Sequence, residues 1–169
     1  MSLPCPALRP PAARTAPPRA GFSWAGGHEH GNHATPTAQA ILFDGTVKTP
    51  DTRWYCLQYG MEIDQATIDD TPEVTFIGNE PQDMADVAGI LANLDLVITV
   101  DSAIAHLAGA LGVPCWVLVS KSSDWRWLTE REDTVWYDSM RLFRQKTLGD
   151  WPEVMERVTT AIEEKINGK

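Results

Sequence analysis

The stretch Asp95–Pro114, DLVITVDSAIAHLAGALGVP, decides the fold. Leu96, Val97, Ile98, Thr99 and Val100 form a run rich in β-branched residues, the composition of a strand buried on both faces. Asp101 and Ser102 follow at once, and both are residue types that accept hydrogen bonds from the free N–H groups opening a helix. Asp101–Leu111 then reads as a small-residue helix, stopped by Gly112 and Pro114.

Outward from this unit the pattern repeats. Cys115–Val119 (CWVLV) is a second buried strand, and Gln82–Leu94 is a helix with Met84, Val87, Ile90, Leu91 and Leu94 at helical spacing. Upstream, Phe22–Trp24, Arg53–Gln58 and Val74–Ile77 have strand character. Residues 37–44 read as a short helix, and DGTVKTPD (44–51) as loop. Downstream, Arg141–Phe143 is a short edge strand. Asp150–Ile166 is a helix capped by Asp150 or Trp151, with Pro152 in its first turn. Such alternation predicts an α/β domain, a doubly wound, Rossmann-like parallel sheet with Leu96–Thr99 central, between Phe22–Trp24 and Cys115–Leu118.

Residues 1–20 hold six of the 12 prolines, three arginines and no acid, so they read as an extended tail or linker preceding a domain over 21–169. An organelle transit peptide is the lesser alternative, since so many prolines oppose an amphipathic helix. The 169 residues suffice for one domain, and 43% hydrophobic content excludes a wholly disordered chain. A net charge of −9 opposes binding to nucleic acid. No apolar run is long enough for a transmembrane segment. Cys5, Cys56 and Cys115 are odd in number and widely spaced. They read as reduced, partly buried thiols of a cytoplasmic protein.

Ligands of doubly wound sheets sit at the carboxyl ends of the strands. The helix start after Val100 is one candidate: the N–H groups of residues 103–105 and the helix dipole favour an anion, and His106 lies one turn in. The competing reading is a capped, tightly packed helix with a core histidine. A second candidate is the loop after Trp24, where Gly26 and Gly27 allow close backbone approach to a phosphate. Gly26 and Gly31 have P-loop spacing, but Asn32-His33 replaces the required Lys-Ser/Thr, which excludes an ATPase P-loop. His28, His30 and His33 are a weak metal signal, and no metal is expected. A third is SKSSDWRWLTEREDTVWYDSMRLFRQ (120–145), where Trp125, Trp127 and Trp136 interleave with Lys121, Arg126, Arg141 and Arg144. Packing over a sheet edge accounts for most of these; Asp124, Trp125 and Arg126 lie nearest the strand end.

Residues 84–158 resemble the carboxyl-terminal half of a GT-B glycosyltransferase, in the heptosyltransferase-like family 9 and its branch often fused to tetratricopeptide repeats. The carrying pieces are DLVITVDSAIAHLAGALGVPCWVL, DWRWLTEREDTVWYDSMRLFRQ and GDWPEVMERV, with further similarity at GFSWAGG (21–27) and RWYCLQYG (53–60). The resemblance implies a donor-binding half in which Asp101, Ser102, Ala103 and His106 contact the diphosphate of a nucleotide sugar. Gly26 and Gly27 join them at the diphosphate. Trp24, His28, Gln58, Asp124, Trp125 and Arg126 then border the donor or acceptor cleft. The implied reaction is inverting sugar transfer to an acceptor hydroxyl, with the nucleoside diphosphate sugar as substrate and no separate cofactor. Two departures stand out. The loop after Trp24 offers histidines where the family usually carries Lys or Arg, and Tyr59 follows Gln58 where Lys is frequent. The general base belongs to an amino-terminal half that residues 1–20 cannot form. The chain is therefore expected to be a fragment, to work with a separate amino-terminal half or acceptor protein, or to be a non-catalytic nucleotide-binding or interaction module.

Overall fold

In the computed structural model, residues 17–24, 44–59 and 73–166 are described. Six strands form one sheet: β1 (Arg19–Ser23), β2 (Arg53–Cys56), β3 (Val74–Phe76), β4 (Leu96–Val100), β5 (Cys115–Val119) and β6 (Met140–Arg144). Their order is β3-β2-β1-β4-β5-β6, and every pair is parallel. The chain runs outward from β1 to β3, returns to the centre at β4, and runs outward the other way. The reversal falls between β1 and β4, with Ser23 opposite Thr99 in register. This is the strand order of dinucleotide-binding folds, whose ligand crevice opens at the reversal.

Helices cover both faces. On one lie α2 (Met84–Leu91) and α3 (Ala103–Ala110), packed with Val97, Cys115, Val117 and Leu142. On the other lie α1 (Asp44–Val47) and α4 (Trp151–Ile166), whose Val154, Met155, Val158 and Ile162 pack on Phe22, Trp54, Ile98 and Leu118. β4 and β5 are buried along their whole length, as their unbroken apolar runs require. Helix ends follow local chemistry. Asp83 caps α2, its Oδ1 accepting from Ala85 N at 2.8 Å and Asp86 N at 3.0 Å. Gly112 at φ 69° ends α3 by a Schellman motif, with Val113 N donating to Ala108 O and Gly112 N to Gly109 O, both at 3.0 Å. Asp150, and not Trp151, caps α4, accepting from Glu153 N at 3.3 Å.

The central strand and its two neighbours lie as the sequence predicts. Several details differ. β1 begins at Arg19, two residues inside the expected tail, because Arg19 N donates to Asp95 Oδ2 at 2.7 Å and the strand pairs from its first residue. Residues 37–43, within the predicted short helix, lie outside the described residues, and helix appears at Asp44–Val47, where a loop is expected. Docking explains this turn: Val47 is buried, and Thr46 Oγ1 meets Thr159 Oγ1 of α4 at 2.9 Å. Met84, assigned to the apolar face of α2, is 53% exposed because it occupies the first helical position, ahead of the sheet contact. Cys56 and Cys115 are free and fully buried, and burial raises their thiols to about 11 and about 12.

Candidate functional site at the strand reversal

At the point where β1 and β4 diverge, three hydroxyls form a chain. Ser23 Oγ meets Thr99 Oγ1 at 2.7 Å, and Thr99 Oγ1 meets Ser102 Oγ at 3.0 Å and Val100 O at 3.2 Å. A hydroxyl has one proton and two lone pairs, so Thr99 is satisfied by donating to Val100 O and accepting from both serines. Ser23 and Thr99 are fully buried.

This chain overturns one expectation. Neither Asp101 nor Ser102 closes the helix start. Ser102 is the N-cap residue of α3, extended at φ −156° and ψ 168°, but its hydroxyl makes no cap hydrogen bond. It is turned back toward Thr99 instead. The first bond of the helix runs from His106 N to Ser102 O at 3.4 Å, so the N–H groups of Ala103, Ile104 and Ala105 lie ahead of the ladder. Ala103 and Asp101 are exposed there and Ser102 is half-buried. An uncapped helix start, facing the ligand side of the sheet, suits an anion.

His106 stands one turn along, about a third exposed, and it is neither a free side chain nor a core histidine. Its ring stacks on Trp127 with centroids 5.4 Å apart and planes 17° apart. Nδ1 lies 3.2 Å from Tyr137 Oη, and Nε2 lies 3.8 Å from Asp101 Oδ1. Trp127 is buried, and its indole N–H has no partner.

The other predicted residues divide. Asp124 caps the 3-10 turn Trp125–Trp127, accepting from Arg126 N at 3.0 Å, and pairs with Arg126 Nε at 3.5 Å. Trp125 is 70% exposed and meets Trp136 edge-on at 6.3 Å; the Trp136 indole N–H donates to Arg126 O at 3.0 Å. Two residues expected at the cleft are instead inside. Trp24 is buried beside Phe22, because the side-chain alternation of β1 carries it onto the face covered by α4. Gln58 is buried too, and its Oε1 accepts from Trp24 N at 3.1 Å, tying the ends of β1 and β2. Gly26, Gly27, His28, His30 and His33 lie outside the described residues. Among the described residues, no group of three or more His, Cys, Asp or Glu side chains is placed to hold a metal.

Thr99 and Tyr137 escape the sequence reading. The one signal for Thr99 is a polar residue inside an otherwise apolar strand. Tyr137, 31 positions from His106, gives no local signal. A groove of about 400 Å³ between β6 and α4, lined by Glu132, Arg141, Phe143, Arg157 and Thr160 among others, draws on none of these residues.

Comparison with known proteins agrees with the fold. Residues 66–148 match the model of glycosyltransferase family 9 (heptosyltransferase). Protein FlbA of Caulobacter vibrioides is 32% identical over 158 residues, which cover 86% of this chain and 25% of FlbA. Two solved structures share the fold. The Escherichia coli ADP-heptose LPS heptosyltransferase II aligns with a TM-score of 0.56 at 16% identity, over 90% of this chain and 48% of that one. The E. coli heptosyltransferase WaaC with ADP aligns with a TM-score of 0.59 at 15% identity, over 90% of this chain and 44% of that one. The chain thus spans a quarter of its curated relative and under half of each heptosyltransferase. It carries a glycosyltransferase-like, Rossmann-like domain of half a GT-B fold.

Proposed function

From this likeness to glycosyltransferase family 9, we propose that the domain binds the diphosphate of a nucleoside diphosphate sugar at the start of α3. The observation that carries the reading is the uncapped helix start beside the strand reversal, where Ser102 bonds Thr99 and leaves the N–H groups of residues 103–105 facing outward. A diphosphate oxygen accepts from these groups, and the His106 imidazole supplies a further donor. In sugar transfer the diphosphate is the leaving group. Donors fixed around it stabilise the negative charge that grows as the glycosidic bond breaks. The acceptor hydroxyl needs a base held opposite, and no described carboxylate is placed for it: Asp101 lies against His106, and Asp124 caps its own turn. On this reading a partner half facing the cleft supplies the base, and this chain alone binds nucleotide without turnover. Free, buried thiols suit the cytoplasm, and no helix among the described residues is long and apolar enough to cross a membrane.

A second reading, a non-catalytic nucleotide-binding or interaction module, draws support from Trp24 and Gln58. Both are buried, and Tyr59 stands where the family often has Lys. Thermal melting with ADP tests the site, and incubation with radiolabelled nucleotide sugars and acceptors separates the readings when a cognate amino-terminal half is added: product then supports the transferase, and none supports the module. We expect ADP to raise the melting temperature, His106→Ala to remove most of that rise, and the chain alone to make no product. Product lost in Asp101→Asn would show a complete catalyst; no melting shift at all would remove the donor site.

A further inference from the structure

Tyr137 comes from the irregular segment between the 3-10 turn and β6, far from α3 in sequence, and two features lock it onto that helix. Its ring lies over Gly109, where an added Cβ would come within 2.5 Å of Tyr137 Cγ, so only glycine admits this approach. Its hydroxyl reaches Nδ1 of His106 at 3.2 Å. Trp127 stacks nearly parallel on the imidazole and fixes the ring plane.

We propose that Tyr137 is a positioning residue for His106, fixing the tautomer in which Nε2 carries the proton. The phenol donates to Nδ1, which as acceptor must lack a proton. The Nε2–H then points to the side of Asp101, whose Oδ1 is 3.8 Å away. The opposite tautomer would set a nitrogen lone pair against that carboxylate and against any diphosphate at the helix start. The hydroxyl also serves the charged ring, because it can rotate and accept from Nδ1–H. His106 thereby offers a donor at Nε2 in either charge state. The ligand part of this inference rests on the donor-site reading above; the tautomer part does not.

The test uses the full chain, its Tyr137→Phe variant, and two readouts. Imidazole nitrogen resonances of labelled protein without ligand should show His106 Nδ1 as a hydrogen-bonded acceptor. In Tyr137→Phe, Nδ1 should move toward the position of a free pyridine-type nitrogen while the fold stays intact. Titration with ADP should then show about two- to tenfold weaker binding, the range one neutral hydrogen bond supports. Gly109→Ala keeps the hydroxyl but displaces the ring, and should move the Nδ1 resonance in the same direction. An unchanged Nδ1 resonance in Tyr137→Phe overturns the proposal, and a changed resonance with unchanged ADP affinity overturns its ligand part. If the unaltered chain fails to bind ADP while Nδ1 responds as expected, the donor site falls and Tyr137 stands as the group that orients His106.

Discussion

Helices α2 and α3 have eight residues each, cover the same face of the sheet and touch one another. Their starts are nonetheless built in opposite ways. Asp83 closes α2 with two hydrogen bonds to its own backbone, while Ser102 at α3 gives its hydroxyl to Thr99 and leaves the helix open. Their glycines differ likewise. An added Cβ at Gly89 meets nothing within 4 Å, whereas Gly109 lies under Tyr137 and Met140. Local rules are obeyed to the letter in α2. In α3 the cap rule is broken at the helix start beside the strand reversal, which is where such a break is expected if the helix serves a ligand, and near its other end Gly109 makes room for Tyr137.

The two glycines offer the sharpest way to break this contrast. Gly109→Ala should cost about 1–3 kcal/mol, because the new methyl falls 2.5 Å from Tyr137 Cγ and 2.6 Å from Met140 Cε. Gly89→Ala should gain about 0.5–1 kcal/mol, since it removes only backbone freedom. Urea unfolding measures both, and a stabilised Gly109→Ala would dissolve the distinction. Thr99→Val should cost about 1–3 kcal/mol by stranding the buried Ser23 hydroxyl. The same variant frees Ser102, so a smaller melting response to ADP should accompany the loss.

Exchanging the caps sharpens the comparison further. Asp83→Ala should lose about 1 kcal/mol and leave the response to ADP intact. Ser102→Asp should change stability by less than about 1 kcal/mol, as the added carboxylate complements the helix dipole while the bond to Thr99 is lost. It should also abolish the ADP response, because its carboxylate occupies the anion's place; an intact response would show that ADP binds elsewhere. The smallest effect lies on α4. Hydrogen bonds from Arg157, then from Lys146, pull the Glu153 carboxyl down to about 2. Its ion pairs therefore support folding at pH values above the ordinary carboxyl range, and that support fades as pH falls toward 2. The pairs are partly exposed and worth about 0.5–1 kcal/mol, so Glu153→Gln should narrow the stability difference between pH 6 and pH 2.5 by no more than that.

Elements whose signals are local were legible in the sequence. The β-branched run of β4 and the stop at Gly112 act within a few residues, and both are found where expected; of the two residues offered as the cap of α4, Asp150 is the one that bonds. The misplaced helical turn at Asp44–Val47 depends on Thr159, which no neighbour announces. At the site, Asp101, Ser102 and His106 stand out because strand end, cap position and first turn are contiguous. What the hydroxyl of Ser102 does was hidden, because it answers to Thr99 across the strand end. Within Trp125-Arg126-Trp127, one indole is 70% exposed and the other 1%. The three residues form a single turn, and composition gives no sign of which ring it buries.

The packing of α4 has a consequence for how the chain is made. Its apolar side is the cover for Phe22, Trp24 and Trp54, yet the partners Thr46 and Thr159 are 113 positions apart. At about 5–20 residues per second on the ribosome, the 113 residues between these partners take roughly 6–23 s to add, and the first strands wait at least that long for their cover. Throughout this interval three large aromatic side chains have no native shelter, while the opposite face of the sheet can already close under α2 and α3. The nascent protein thus passes through a one-sided stage, sticky on the α4 face, and its yield at synthesis depends on what shields that face until residue 162 emerges.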